Sequence, residues 1–141
     1  MNDIYVDETT LTGQCAVTVV KVDRTCIAIL DACERYPLSH LESKLDEERL
    51  SDTICFYSTA FFIDSNFEAL MAMANFANNH NRIFGFNFAA EYIYQEAKDK
   101  LLEVMKLSDF IFCNKAEAIV CGHQLKAELM LKDEDLKLEN E

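Results

Sequence analysis

Residues 83–117, IFGFNFAAEYIYQEAKDKLLEVMKLSDFIFCNKAE, decide the fold. Residues 83–88 are short, apolar and bounded by polar residues, the pattern of a buried strand. Residues 91–106 are long enough for a helix, with Tyr94, Ala97, Leu101, Val104 and Met105 falling near one face. Residues 110–113 form a second short apolar run. Strand, crossover helix and strand in this span make a βαβ unit, which requires a parallel pair. In open parallel sheets, ligands collect beyond the carboxyl ends of the strands. Those ends carry Asn87-Phe88-Ala89-Ala90 and Asn114-Lys115-Ala116-Glu117, so function is expected there.

Working outward toward the N-terminus, residues 53–62 read as another strand ending in Phe61-Phe62. Ser65 and Glu68 form an S-x-x-E capping box. The helix after it is expected to bury Phe67, Leu70, Met71, Ala74 and Ala77. Two consecutive βαβ units follow, which should be right-handed. Upstream, residues 15–20 and 26–30 suggest an antiparallel hairpin around a polar turn at 21–24, although no Asn-Gly pair marks it. The β-rich run on the far side of that turn covers residues 25–31. A short strand is expected at 4–6, and one or two short helices at 39–50 after Pro37, the single proline. Asp46-Glu47-Glu48-Arg49 reads as a solvated helix face. Beyond Glu117, residues 118–131 look helical, and 132–141 are too charged to pack.

The chain has 141 residues, enough for one domain, and half of it is apolar, enough for a real core. No repeat or linker marks a second domain. The net charge of −12 and the lack of a basic patch argue against nucleic acid. No stretch is long enough to cross a bilayer, and residues 1–10 carry no apolar core of a signal peptide. A cytoplasmic location, with the nucleus also open, is the default. The cysteines are Cys15, Cys26, Cys33, Cys55, Cys113 and Cys121. They form no C-x-x-C pair and fall mostly in apolar runs, which points to buried free thiols. Three scattered histidines make a zinc site unexpected. The three glycines are isolated, so no phosphate-cradling loop is visible.

Two constellations carry chemistry. Asn114-x-x-Glu117 could order the water shell of a magnesium ion. It could equally open a helix, with Asn114 as cap and Glu117 closing back on it, and spacing alone favours the helix start. Phe61 and Tyr92 could offer aromatic faces to a purine, although rings at such positions more often belong to a core. Arg24, in a hairpin turn, is usually only a solvated charge.

The order of short motifs resembles the middle of the adenosine kinases, within the ribokinase-like (PfkB-like) sugar and nucleoside kinase family. Thr12-Gly13-Gln14-Cys15-Ala16 is similar to that family's T-G-T-C-A. Asp23-Arg24-Thr25 and Ile27-Ala28 are similar to its N-R-S-L-I-A hairpin, and Ala60-Phe61-Phe62 to its G-F-F. Asn81-Arg82-Ile83-Phe84 resembles its N-R-I-F. Asn87-Phe88-Ala89-Ala90-Glu91-Tyr92 resembles its N-L-S-A-P-F, and Asn114-Lys115-Ala116-Glu117-Ala118 its N-E-T-E-A.

The resemblance implies a partial ribokinase-like three-layer α/β fold. Residues 12–31 would belong to a small β lid, 53–131 to the parallel core and 132–141 to a frayed tail. It implies ATP as co-substrate, magnesium, and phosphorylation of adenosine to AMP in purine salvage. Asn114 and Glu117 would act indirectly on magnesium and phosphate. Cys15, Cys26 and Ala28 would line the lid, Phe61 and Tyr92 would pack on adenosine, and Arg24 would aid phosphoryl transfer. The family's Gly-Gly substrate motif and its D-T-x-G-A-G-D-like motif, which supplies the anion hole and the general base, have no counterpart among these residues. The chain alone is therefore expected to be inactive. The alternatives are a remnant that binds a partner such as a full-length kinase, and a segment of a related sugar kinase.

Overall fold

A computed structural model describes residues 4–129, with residues 124–129 as backbone only. The order of elements is β1 (Gln14–Val20), β2 (Asp23–Ile29), a 3-10 turn (Asp31–Arg35), α1 (Leu38–Glu42), β3 (Cys55–Thr59), α2 (Phe62–Asn79), β4 (Ile83–Asn87), α3 (Glu91–Lys106), β5 (Phe110–Phe112) and α4 (Lys115–Leu129). β1 and β2 form an antiparallel hairpin, and β3-β4-β5 form a separate parallel sheet with β4 in the middle. The parallel arrangement is the one the 83–117 stretch dictates.

The core lies on one face of the parallel sheet. Phe84 and Phe86 alternate on β4 toward the helices and are fully buried. They join Leu70, Ala74 and Ala77 of α2 with Tyr94, Leu101 and Val104 of α3. Burying one such phenylalanine stabilises the fold by about 1.5–3 kcal/mol. Ile93, absent from the expected helix face, is also buried, and Ala97 is a kink in α3 with φ −132° and ψ 33°.

The opposite face is bare. Register places Cys55, Tyr57, Ile83, Gly85, Phe110 and Phe112 there. Tyr57, Phe110 and Phe112 are each more than half exposed. The Tyr57 and Phe112 rings meet edge-on at 6.1 Å over Gly85. Parallel sheets are ordinarily covered on both faces.

Several local expectations change. Residues 4–6 form no strand; Tyr5 instead packs its ring against Tyr36 and His40. The strand expected over 53–62 spans only Cys55–Thr59, because Phe61 and Phe62 already turn into α2. The capping signal lies one residue later than Ser65. Asn66 leaves helical geometry (φ −165°, ψ 95°), and its Oδ1 accepts the Ala69 N–H at 2.9 Å. Asn is as good an N-cap as Ser, and here it also donates to Tyr36 O across the fold. Residues 46–49 form a turn and not a helix face, closed by the Arg49 N–H on Asp46 Oδ1.

The hairpin turn is only Lys21–Val22, with Lys21 at φ 56°. β2 correspondingly runs over Asp23–Ile29 and not 25–31. The last helix starts at Lys115, three residues before its expected start at Ala118, because the Asn114 cap opens it. The end of that expected helix, 130–131, and the charged tail 132–141 lie outside the described residues. The expectation of mostly buried thiols is also overturned: all six cysteines are free, but only Cys121 is buried. Their apolar runs form a hairpin and sheet edges that no described residue covers. No helix among the described residues is long and apolar enough to cross a membrane.

Candidate functional site

The carboxyl ends of β3, β4 and β5 are tied together by the backbone. Ala60 N–H donates to Asn87 O, and Phe88 N–H donates to Phe112 O, both at 2.8 Å. The Asn87 side chain accepts the Ala89 N–H at 2.8 Å and holds Ala89 at φ 67°. A positive φ at alanine is uncommon and costs on the order of 1–2 kcal/mol. Stored backbone strain of this kind concentrates at functional sites.

A cleft of about 440 Å³ opens over these strand ends, lined by Arg24, Thr59, Phe61, Asn87, Ala89, Phe112, Cys113, Asn114 and Glu117. The hairpin reaches it through Arg24, near the start of β2. Arg24 is the one cation in the lining and has no ion-pair partner among the described residues. Phe61 is 49 % and Tyr92 43 % exposed, and their rings lie 6.5 Å apart, tilted by 36°. They are therefore not core residues. Burial holds the Tyr92 phenol above its ordinary value, helped by the Asp64 and Glu96 carboxylates.

Asn114 and Glu117 form a closed reciprocal cap. Glu117 N–H donates to Asn114 Oδ1 at 2.9 Å. Asn114 Nδ2 donates to Glu117 Oε1 at 2.7 Å, and Asn114 N–H donates to Glu117 Oε2 at 2.9 Å. Glu117 is only 5 % exposed, the one buried charged side chain among the described residues. The helix-start reading is therefore what these residues do locally. The same geometry tests their fitness for magnesium. No cluster of three or more metal-ligating side chains exists among the described residues, and both Glu117 oxygens already accept protein donors. The pair does not fit direct ligation. It does fit an outer role, since each carboxylate oxygen keeps a lone pair for a metal-bound water.

The remaining expected site residues share one face of the hairpin. Cys15 pairs with Ala28, Val17 with Cys26 and Val19 with Arg24. Residues opposite or two apart in an antiparallel pair point the same way. Cys15, Cys26 and Ala28 thus lie on the face that carries Arg24. They do not line the cleft itself. Sequence reasoning missed Thr59, Phe112 and Cys113 as lining residues; the signal was their position at the ends of parallel strands.

The chain is similar to known proteins of one family. The model of the pfkB family carbohydrate kinases matches residues 1–138. Adenosine kinase 2 of Arabidopsis thaliana is 31% identical over 114 residues, covering 81% of this chain and 33% of that protein. The Schizosaccharomyces pombe adenosine kinase is 26% identical over 130 residues, covering 89% of this chain and 38% of its own length. Among solved structures, Anopheles gambiae adenosine kinase in complex with P1,P4-di(adenosine-5) tetraphosphate superposes with a TM-score of 0.77 at 30% identity. It covers 86% of this chain and 36% of that one. The chain spans about a third of the length of the curated relatives it matches. On this evidence the chain belongs to the pfkB carbohydrate kinase family, with the ribokinase-like α/β fold and with adenosine kinases among its relatives.

Proposed function

We propose that this chain is a segment of an adenosine kinase, a pfkB-type enzyme that moves the γ-phosphoryl group of ATP to the 5′-hydroxyl of adenosine and yields AMP for purine salvage. The observation that carries this reading is the convergence of Arg24, Phe61, Asn114 and Glu117 on one cleft at the strand ends. Phe61 and Tyr92 offer exposed aromatic faces to the purine. The hairpin face with Cys15, Cys26 and Ala28 folds over the nucleoside. Arg24 stabilises charge on the transferring group. Asn114 and Glu117 order waters near the nucleotide phosphates; a bound magnesium would supply charge neutralisation there.

Among the described residues the only carboxylate lining the cleft is Glu117, and both its oxygens are engaged in the cap. Among the described lining residues no carboxylate is left free to serve as general base. The pure 141-residue polypeptide should therefore form no AMP from ATP and adenosine, and AMP above a no-protein control would refute this. Thermal stabilisation by adenosine supports the nucleoside assignment; stabilisation by ribose and not by adenosine would transfer it to a sugar kinase.

The bare face of the sheet favours a second reading. Exposed Tyr57, Phe110 and Phe112 flank open edges at β3 and β5, and such edges pair readily with another chain. In this reading the chain binds a full-length kinase. Co-purification with that kinase supports it, and a monodisperse monomer in its presence counts against it.

A further inference from the structure

Cys15 and Cys26 are diagonal neighbours on one face of the β1–β2 hairpin, since Cys15 pairs with Ala28 and Cys26 with Val17. Both thiols are exposed, and every residue of both strands is exposed too. Among the described residues no element packs over either cysteine; the Cys15 Sγ lies 3.9 Å from Ala16 O. They also sense one another: Cys15 is held above its ordinary thiol value by local desolvation first, then by charge on Cys26 and by a hydrogen bond with it.

We propose that Cys15 and Cys26 form a cross-strand dithiol that a low-molecular-weight disulfide closes to an intramolecular disulfide. One thiolate attacks a sulfur of oxidised glutathione, forming a mixed disulfide and expelling one glutathione thiolate. The second cysteine thiolate attacks the protein sulfur of that mixed disulfide and expels the other glutathione. Two protein thiols lose two electrons, one glutathione disulfide becomes two thiols, and the two protein protons end on glutathione.

Reach is the physical question. Diagonal Cα atoms typically lie about 7–8 Å apart, slightly beyond the roughly 6.8 Å that a disulfide spans. Two-stranded ribbons twist the most of any sheet. This one has neither face packed, so it can supply the small closure. The other thiols compete poorly. Cys121 is buried, and Cys55 and Cys113 belong to the parallel sheet and its edge. Cys33 is the real competitor, because its sulfur lies at the base of the hairpin beside Gly13. The inference does not depend on the kinase reading, since its test reads only thiols.

The test equilibrates the full chain with oxidised and reduced glutathione, quenches in acid, alkylates and digests with trypsin. Cleavage after Lys21 and Arg24 separates residues 1–21 from 25–35, so a bridge shows as one linked pair, and fragmentation of 25–35 assigns it to Cys26 or Cys33. The expected product is linked through Cys26, with an intact mass lower by about 2 Da and two of the six thiols lost. C33S should keep the link, and C26S should reduce it at least about tenfold. The same mixture in urea should link several-fold less. Linkage through Cys33, equal linkage in the unfolded chain, or glutathione adducts without ring closure would each overturn the proposal.

Discussion

Replacing Asn114 by alanine tests whether the reciprocal cap organises the strand-end site. The change removes the acceptor for the Glu117 N–H and the Nδ2 donor that meets Glu117 Oε1 at 2.7 Å. An N-cap lost to alanine costs about 0.5–2 kcal/mol. A hydrogen bond to a charged group contributes about 1.5–3 kcal/mol, and here the carboxylate left short of a donor is buried. The expected loss is about 2–4 kcal/mol against a typical total of roughly 5–15 kcal/mol. With a urea slope of about 2 kcal/mol per molar, the midpoint should fall by about 1–2 M. Circular dichroism across a urea series reads this directly. Asn114→Asp separates a reciprocal cap from an ordinary one. Aspartate caps helices as well as asparagine does, but it would set a second carboxylate against Glu117. N114D should therefore be at least as damaging as N114A at neutral pH. A near-wild-type midpoint for N114D, or a loss below about 0.5 kcal/mol for N114A, would refute the reasoning.

Other perturbations have equally definite outcomes. At Gly13, an added Cβ would sit 2.7 Å from Leu30 O and 2.9 Å from Cys33 Sγ. Gly13→Ala should cost about 1–3 kcal/mol by overpacking and speed amide exchange at the base of the hairpin. Gly85→Ala meets only ordinary contacts at 3.5 and 3.7 Å and should stay within about 0.5 kcal/mol of wild type by denaturation. The Tyr94 hydroxyl is buried without a hydrogen-bond partner among the described residues, and burial raises its ionisation above the ordinary 10.0. Its neutral form is thus favoured by folding, so its contribution is complete below about pH 10 and is lost as pH rises through the folded value. Tyr94→Phe should unfold less steeply with alkali than wild type and lose no stability at pH 7, as thermal melts from pH 7 upward would show.

The parallel core was legible because its signals are local and mutually consistent. Apolar β4, the amphipathic run of α3 and apolar β5 admit few alternatives, and α3 has the bounds the sequence suggests. The errors have a common physical origin. A burial pattern read from sequence assumes that something covers each apolar run. Cys15, Cys26 and Cys55 sit in such runs yet are exposed, because no described residue packs over the hairpin strands or the far face of the sheet around them. Caps were misplaced by one residue at Asn66, where two good capping residues stand side by side and tertiary contact with Tyr36 selects the second. At the candidate site, spacing correctly paired Asn114 with Glu117 but could not bring Arg24 to them. That depends on where the hairpin sits over the strand ends, a long-range contact that no local pattern encodes.

The most direct test of the account is an adenosine titration of the isotopically labelled chain, followed by amide and side-chain NMR shifts. The account predicts saturable shifts confined to Arg24, Phe61, Tyr92, Asn114 and the hairpin face of Cys15, Cys26 and Ala28, weakened by Phe61→Ala and not reproduced by ribose. Shifts that map elsewhere, or that ribose alone reproduces, would contradict the assignment of this cleft to a nucleoside.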